Sequence, residues 1–186
     1  YLSIARTLIE AAHTHDTVLY AVPGSPLILE RTVAHLRQQA DVDVQIHPGV
    51  SFLDDTWRAL NIDPVEHSVR LIDGHEFARA AAGYTGPMLV AHTHANWVLS
   101  QIKLTIDDPD PHTPVVLVHH VGLEDEKLVH TTWANMDKEI DADHLTSLYI
   151  PQLVTPVAEE IVKFHELART LREQCPWDRE QTHHSL

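Results

Sequence analysis

Two strand-to-helix junctions, each closed by a Pro-Gly turn, set the first limit on what this chain can fold into. One reads Val18-Leu19-Tyr20-Ala21-Val22-Pro23-Gly24-Ser25-Pro26, the other Val42-Asp43-Val44-Gln45-Ile46-His47-Pro48-Gly49-Val50-Ser51. In each, an apolar or β-branched run ends in Pro-Gly and an amphipathic pattern follows. Parallel α/β proteins gather ligands at such strand ends, where loops meet helix N-termini with free N–H groups. Glycine lets the backbone approach a ligand closely, and proline fixes the turn that aims it.

The chain has 186 residues, enough for one good core or two small ones. Asp and Glu number 27 against 13 Lys and Arg, a formal net charge of −14 with no local basic patch, which argues against nucleic acid as a partner. No segment approaches the roughly 18 uninterrupted apolar residues of a membrane span. A single cysteine, Cys175, rules out an intramolecular disulfide framework and predicts a reducing, cytoplasmic setting. The chain opens at Tyr1 inside a helical pattern and not at a methionine, which predicts further sequence upstream.

Periodicity predicts helices over Leu2–Ala12 (Ile4, Leu8 and Ala11 or Ala12 on one face), Pro26–Gln39 (Leu29, Val33, Leu36) and Gly49–Leu60 (Val50, Leu53, Trp57, Leu60). Between them, Thr17–Val22 reads as a buried strand and Val42–Ile46 as an alternating one. This rhythm predicts a parallel sheet with right-handed crossovers. Asn61-Ile62-Asp63-Pro64 marks a boundary. Beyond it the expected strands are Val69–Ile72, Met88–Ala91, Pro114–His119, Lys127–Trp133 as its hairpin partner, and Ser147–Ile150, with helices over Glu76–Ala82 and Ala95–Ile106, making a mixed sheet. Pro151–Pro156 is a linker, and a helix from Val157 carries Ile161, Phe164, Leu167, Ala168 and Leu171 toward Cys175.

Sixteen histidines invite a metal reading. His92 and His94 share a strand face and His119-His120 ends another, but no zinc-finger Cys-His spacing supports them, and scattered histidines are read as solvated, with no metal site. Ser25 and Ser51 stand at helix starts, where serine caps, and neither lies in a Gly-x-Ser-x-Gly elbow. Asp54-Asp55 and Glu159-Glu160 fall in first helical turns and suit the macrodipole. No Walker loop is present. What remains is backbone at Gly24-Ser25 and Gly49–Ser51 beside Ile28 and Phe52, which suits a zwitterionic, partly aromatic small molecule better than a polyphosphate.

The segment Pro23-Gly24-Ser25-Pro26-Leu27-Ile28-Leu29-Glu30-Arg31 resembles the Gly-Asp-Pro motif of the tetrapyrrole methylases, S-adenosylmethionine-dependent enzymes that methylate corrin and porphyrin precursors. Pro48-Gly49-Val50-Ser51-Phe52 is similar to that family's Pro-Gly-hydrophobic-Ser/Thr motif, and Pro87-Met88-Leu89-Val90-Ala91-His92 stands where the family has a strand ending against the cofactor. The resemblance covers roughly residues 1–152. The tail, Cys175-Pro176-Trp177-Asp178 followed by Gln181-Thr182-His183 and Ser185-Leu186, resembles the opening of a MazG domain, an all-helical nucleoside triphosphate pyrophosphohydrolase fused behind such methylases in bacteria.

The resemblance implies a two-lobed α/β fold, a parallel-sheet lobe and a mixed-sheet lobe followed by the first MazG helix. Residues 1–62 would be the remainder of the N-terminal lobe, 63–152 the C-terminal lobe, and 153–186 the linker helix and MazG start. It implies a homodimer that binds S-adenosylmethionine in a cleft between the lobes through Gly24, Ser25, Pro26, Ile28, Ser51, Phe52 and His92, with a tetrapyrrole or a nucleotide as small-molecule substrate and no catalytic side chain assigned. Two departures matter. Ser25 replaces the family's acidic residue, and the Gly-rich first loop of the family would lie before Tyr1. The paired acidic motifs that hold magnesium in MazG would follow Leu186, so magnesium belongs only to that part. The alternative reading makes this domain a regulatory or dimerising module of a nucleoside triphosphate pyrophosphohydrolase.

Overall fold

A computed structural model describes residues 1–39, 41–157 and 159–177. The chain divides into two compact units, Tyr1–Asn61 and Ile62–Leu186.

In the first unit, helix α1 (Leu2–Ala12) packs against α2 (Arg31–Leu36), and α3 (Phe52–Leu60) follows the second Pro-Gly turn. The buried face of α1 is set by Ala5, with Leu8, Ile9 and Ala12 half-buried, while Ile4 is exposed. The expected helix over Pro26–Gln39 shrinks to α2 because Leu29 takes φ 61, a left-handed step that an α-helix cannot contain. Val33 and Leu36 are buried as the pattern required. Helix α3 begins at Phe52 and not at Gly49, since the Ser51 side chain accepts the Leu53 N–H at 3.2 Å and caps the first turn. Asp54 and Asp55 occupy that turn, and Asn61 closes the helix in the left-handed conformation.

The strands expected over Thr17–Val22 and Val42–Ile46, and with them the parallel sheet, are not formed among the described residues. Both segments keep a two-residue alternation, with Val18, Tyr20, Val22 and Val42, Val44, Ile46 half-buried and the residues between them exposed. Leu19 is 85% exposed, so the first is no buried strand. Alternation assigns side chains to faces; a strand also needs ladder hydrogen bonds, and these segments make none.

The second unit is a mixed five-stranded sheet in the order β1-β2-β5-β3-β4. Its strands are β1 (Arg70–Asp73), β2 (Met88–Ala91), β3 (Pro114–His119), β4 (Lys127–Thr132) and β5 (Thr146–Ile150). Only β1 and β2 run parallel; β5 is antiparallel to both β2 and β3, and β3–β4 is the expected hairpin. A 3₁₀ turn (Gly74–Glu76) and α4 (Phe77–Ala80) connect the parallel pair, and α5 (Asn96–Lys103) follows β2. Both helices are shorter than their periodic patterns.

Every residue of β2 and β5 is buried, and β5 sits in the middle of the sheet. Ile72, Met88, Val90, Leu117, Leu148 and Ile150 meet Val98, Leu99 and Ile102 of α5, with Trp133 and Met136 completing the core. Trp133 satisfies its indole N–H on the Lys103 carbonyl at 3.3 Å. Asn96 knits the loop after β4: its amide donates to the carbonyls of Asp137 and Ile140 and its oxygen accepts the Ala142 N–H. Lys103 and Ser100 both donate to the Asp137 carboxylate. Burial alone would raise that carboxyl, yet the two hydrogen bonds hold it below the ordinary carboxylate range.

Helix α6 (Glu159–Gln174) leaves Phe164, Leu167 and Leu171 of its expected apolar stripe exposed. The MazG-like residues Asp178–Leu186 lie outside the described residues. No described helix is long and apolar enough to cross a membrane.

Candidate functional site

Within the first unit the two Pro-Gly turns come together backbone to backbone. Gly24 holds φ +87, a conformation that side chains disfavour. A Cβ on Gly49 would lie 2.6 Å from the Gly24 carbonyl oxygen, and one on Gly24 would lie 3.2 Å from that of Val50. Both glycines are therefore required by contact, and the contact fixes the turn before α2 against the turn before α3. Ser25 bends its own turn: its hydroxyl accepts the Leu27 N–H at 3.4 Å and its carbonyl accepts the Ile28 N–H at 3.3 Å. Ser51 caps α3, and the Phe52 carbonyl accepts the hydroxyl of the fully buried Thr56 at 2.9 Å. Ser51 thus plays the capping role that its position predicted, whereas Ser25 closes only a local turn, because no helix starts at Pro26 and α2 begins at Arg31 behind Glu30.

Beside these turns the first unit forms a half-open cavity of about 630 Å³ between α1 and the two alternating segments. Gly24 and Pro26 reach its wall, whereas Ser25, Ile28, Ser51 and Phe52 do not. Of the residues singled out by sequence, the structure thus brings the Gly24 and Gly49–Ser51 turns into contact and puts only part of the set on the cavity.

His92, the remaining candidate, belongs to the second unit and follows β2 with φ 60. The carboxyl ends of parallel strands β1 and β2 form an edge rich in imidazole. Gly74 permits it, since a Cβ there would lie 3.0 Å from the Ala91 carbonyl oxygen. Asp73 accepts the His75 N–H at 3.1 Å and starts the 3₁₀ turn. His92 Nδ1 is 3.2 Å from an Asp73 carboxylate oxygen without hydrogen-bond alignment, and this buried nitrogen has no hydrogen-bond partner among the described residues. The His94 ring reaches the His92 carbonyl through Nδ1 at 3.2 Å, stacks on His144 with centroids 5.3 Å apart, and meets the Trp97 ring edge-on at 5.7 Å. His75 lies 5.2 Å from His94 and 6.0 Å from Trp97. Trp97 is 52% exposed, so its indole is open to solvent beside imidazoles tilted against it.

Sequence reading paired His92 with His94 but missed His75, Trp97 and His144. Asp73-Gly74-His75 repeats the pattern of a strand end followed by glycine, and that signal would have found His75. His144 arrives through the pairing of β5 with β2, which no local pattern encodes.

The sequence profile of the tetrapyrrole (corrin/porphyrin) methylases matches residues 1–137. An uncharacterized protein of Bacillus subtilis (strain 168), YabN, is 34% identical over 199 aligned positions that take in all of this chain and 39% of that protein. This chain thus spans well under half the length of that relative. Among solved structures, uroporphyrin-III C-methyl transferase from Thermus thermophilus, complexed with S-adenyl homocysteine, has a TM-score of 0.58 at 18% identity, covering 80% of this chain and 72% of that one. The methyltransferase CobJ has a TM-score of 0.55 at 14% identity, covering 80% of this chain and 70% of that one. At these identities the likeness is one of fold.

Proposed function

The chain belongs to the tetrapyrrole (corrin/porphyrin) methylase family, and from that premise we propose that it is the S-adenosylmethionine-binding part of a methyltransferase acting on a small molecule. The observation that carries the proposal is the contact between the two glycine turns. Gly49 lies where a Cβ would be 2.6 Å from the Gly24 carbonyl oxygen, which leaves bare backbone beside the N-terminus of α3. Such a cradle fits the adenosine and methionine parts of the cofactor, and it lacks the cationic groups a polyphosphate would need. Asp54 and Asp55 in the first turn of α3 make this end anionic, which favours a cationic sulfonium.

In this reading Gly24, Ser25, Pro26 and Ile28 bind one side of the cofactor and Ser51 and Phe52 the methionine side. In the second unit the proposed contact is His92. When bound, S-adenosylmethionine would supply an activated methyl group for in-line transfer to a nucleophilic atom of the acceptor, with its thioether as the leaving group. The chain's own task is alignment, since an in-line displacement depends on holding donor and acceptor on one axis. No protein nucleophile is implied. The exposed Trp97 indole suits a flat, conjugated acceptor of the tetrapyrrole class by stacking.

Calorimetric titration of the full-length protein with S-adenosylmethionine tests the reading; binding that weakens on Gly49→Val is expected, and no heat at millimolar ligand removes it. The Cys175–Leu186 string extends the proposal to the longer protein, in which a MazG pyrophosphohydrolase would follow, with magnesium confined to that part. Pyrophosphate release from nucleoside triphosphates by the full-length protein is its test.

A further inference from the structure

A second histidine cluster borders the edge that holds His92, the two meeting at the turn Asp143-His144. Strand β3 ends at His119, and His120 follows with φ 54. Consecutive side chains of an extended strand point to opposite faces. The left-handed step turns both rings to one side, where they stack with centroids 3.7 Å apart and planes 17° from parallel. Antiparallel pairing sets His119 opposite Thr146, so the turn leading into β5 lies beside these rings.

Asp143 in that turn is held by its own backbone. One carboxylate oxygen accepts the Leu145 N–H at 2.9 Å and the Thr146 hydroxyl at 3.2 Å, and the other lies 2.7 Å from His120 Nε2. Across the ring, His120 Nδ1 is 2.6 Å from an Asp125 carboxylate oxygen. His119 Nδ1 lies 2.9 Å from the Thr146 hydroxyl and 3.9 Å from Asp143. One ligand atom from each of His119, His120 and Asp143 falls within 4.8 Å of the other two.

We propose that His119, His120 and Asp143 are the three protein ligands of a divalent transition-metal site, of the zinc class, with Asp125 orienting His120 from behind. Two imidazoles and one carboxylate are a borderline donor set, suited to zinc or cobalt and poorly suited to magnesium or calcium, which take oxygen. A carboxylate on the far nitrogen of a ligating histidine fixes its tautomer and its direction, and Asp125 stands in that position. The two histidine side chains are 12% and 18% exposed and Asp143 46%, so a fourth position faces solvent. An imidazolium held between Asp125 and Asp143, with His119 resting on the Thr146 hydroxyl, is the rival arrangement, and it binds no zinc.

The test is calorimetric titration of the metal-stripped chain with zinc, repeated by visible absorption with cobalt, whose bands report four-coordinate geometry. One tight equivalent is expected. His119→Ala and Asp143→Asn should each weaken it by at least about 10-fold, and Asp125→Asn by about 10-fold. Asn at 143 keeps an oxygen for the Leu145 N–H, so circular dichroism of that variant should match the parent. The double variant His94→Ala/His144→Ala should bind as the parent does. Zinc bound no more tightly than by a surface histidine, affinity untouched in His119→Ala and Asp143→Asn, or loss only in the His94/His144 variant overturns the site.

Discussion

The two units use the same residue types to opposite ends. In Ile62–Leu186, apolar runs become strands with partners on both sides, and β5 is buried along its whole length. In Tyr1–Asn61, equally apolar runs stay extended without a ladder, and order comes from helix caps and from glycine touching glycine. A strand run is only an offer of pairing; the partner decides whether a sheet exists. Where side chains interlock, stability rests on volume. Where backbone meets backbone, it rests on the absence of a Cβ.

Substitutions that attack each mode separately test this contrast. The largest effect is expected from Trp133→Ala, which empties a fully buried site in the second unit and should cost about 4 kcal/mol in denaturant unfolding. Asp137→Asn should cost about 3 kcal/mol, since it strips Lys103 of its charged partner in a half-closed site. The pair also carries a pH signature. The Asp137 carboxyl is depressed in the folded state, so its contribution is complete above the unfolded carboxylate pKa of about 3.9 and is lost as pH falls through the lower folded value. An acid limb that persists unchanged in Asp137→Asn would contradict this.

In the first unit Gly49→Val adds volume where the Gly24 carbonyl already stands, and about 2 kcal/mol of strain is expected, read as faster proteolysis between the two Pro-Gly turns. The same substitution at the half-buried Gly86 is no control, because Tyr84 crowds that glycine as well. Ser51→Ala should be mildest, about 1 kcal/mol, through loss of the α3 cap, and hydrogen exchange at Leu53 reports it directly.

Much of the second unit was legible because its signals are local. Met88–Ala91 is a short apolar run behind Gly-Pro, and the strands over Pro114–His119 and Lys127–Thr132 are joined by a short loop. The first unit was harder for a physical reason. Val18, Tyr20 and Val22 alternate correctly, but alternation names faces and not neighbours. Leu29 gives no chemical hint that it will turn left-handed and end a helical pattern. The glycine turns of the candidate site were readable as glycines, although their mutual contact was not. His144 and Asp143 were unreadable, since both reach their clusters only through the pairing of β5 with β2 and β3.

That placement has a consequence for how the sheet is made. The strand in the middle is the last of the five to leave the ribosome. Until Thr146–Ile150 emerges, the β1–β2 pair and the β3–β4 hairpin are separate ribbons, each with an open edge. Assembly is therefore governed by late, long-range closure, and the nascent chain carries two aggregation-prone borders from the completion of β4 until β5 emerges. A release of the chain just before Thr146 would leave both borders uncapped for good.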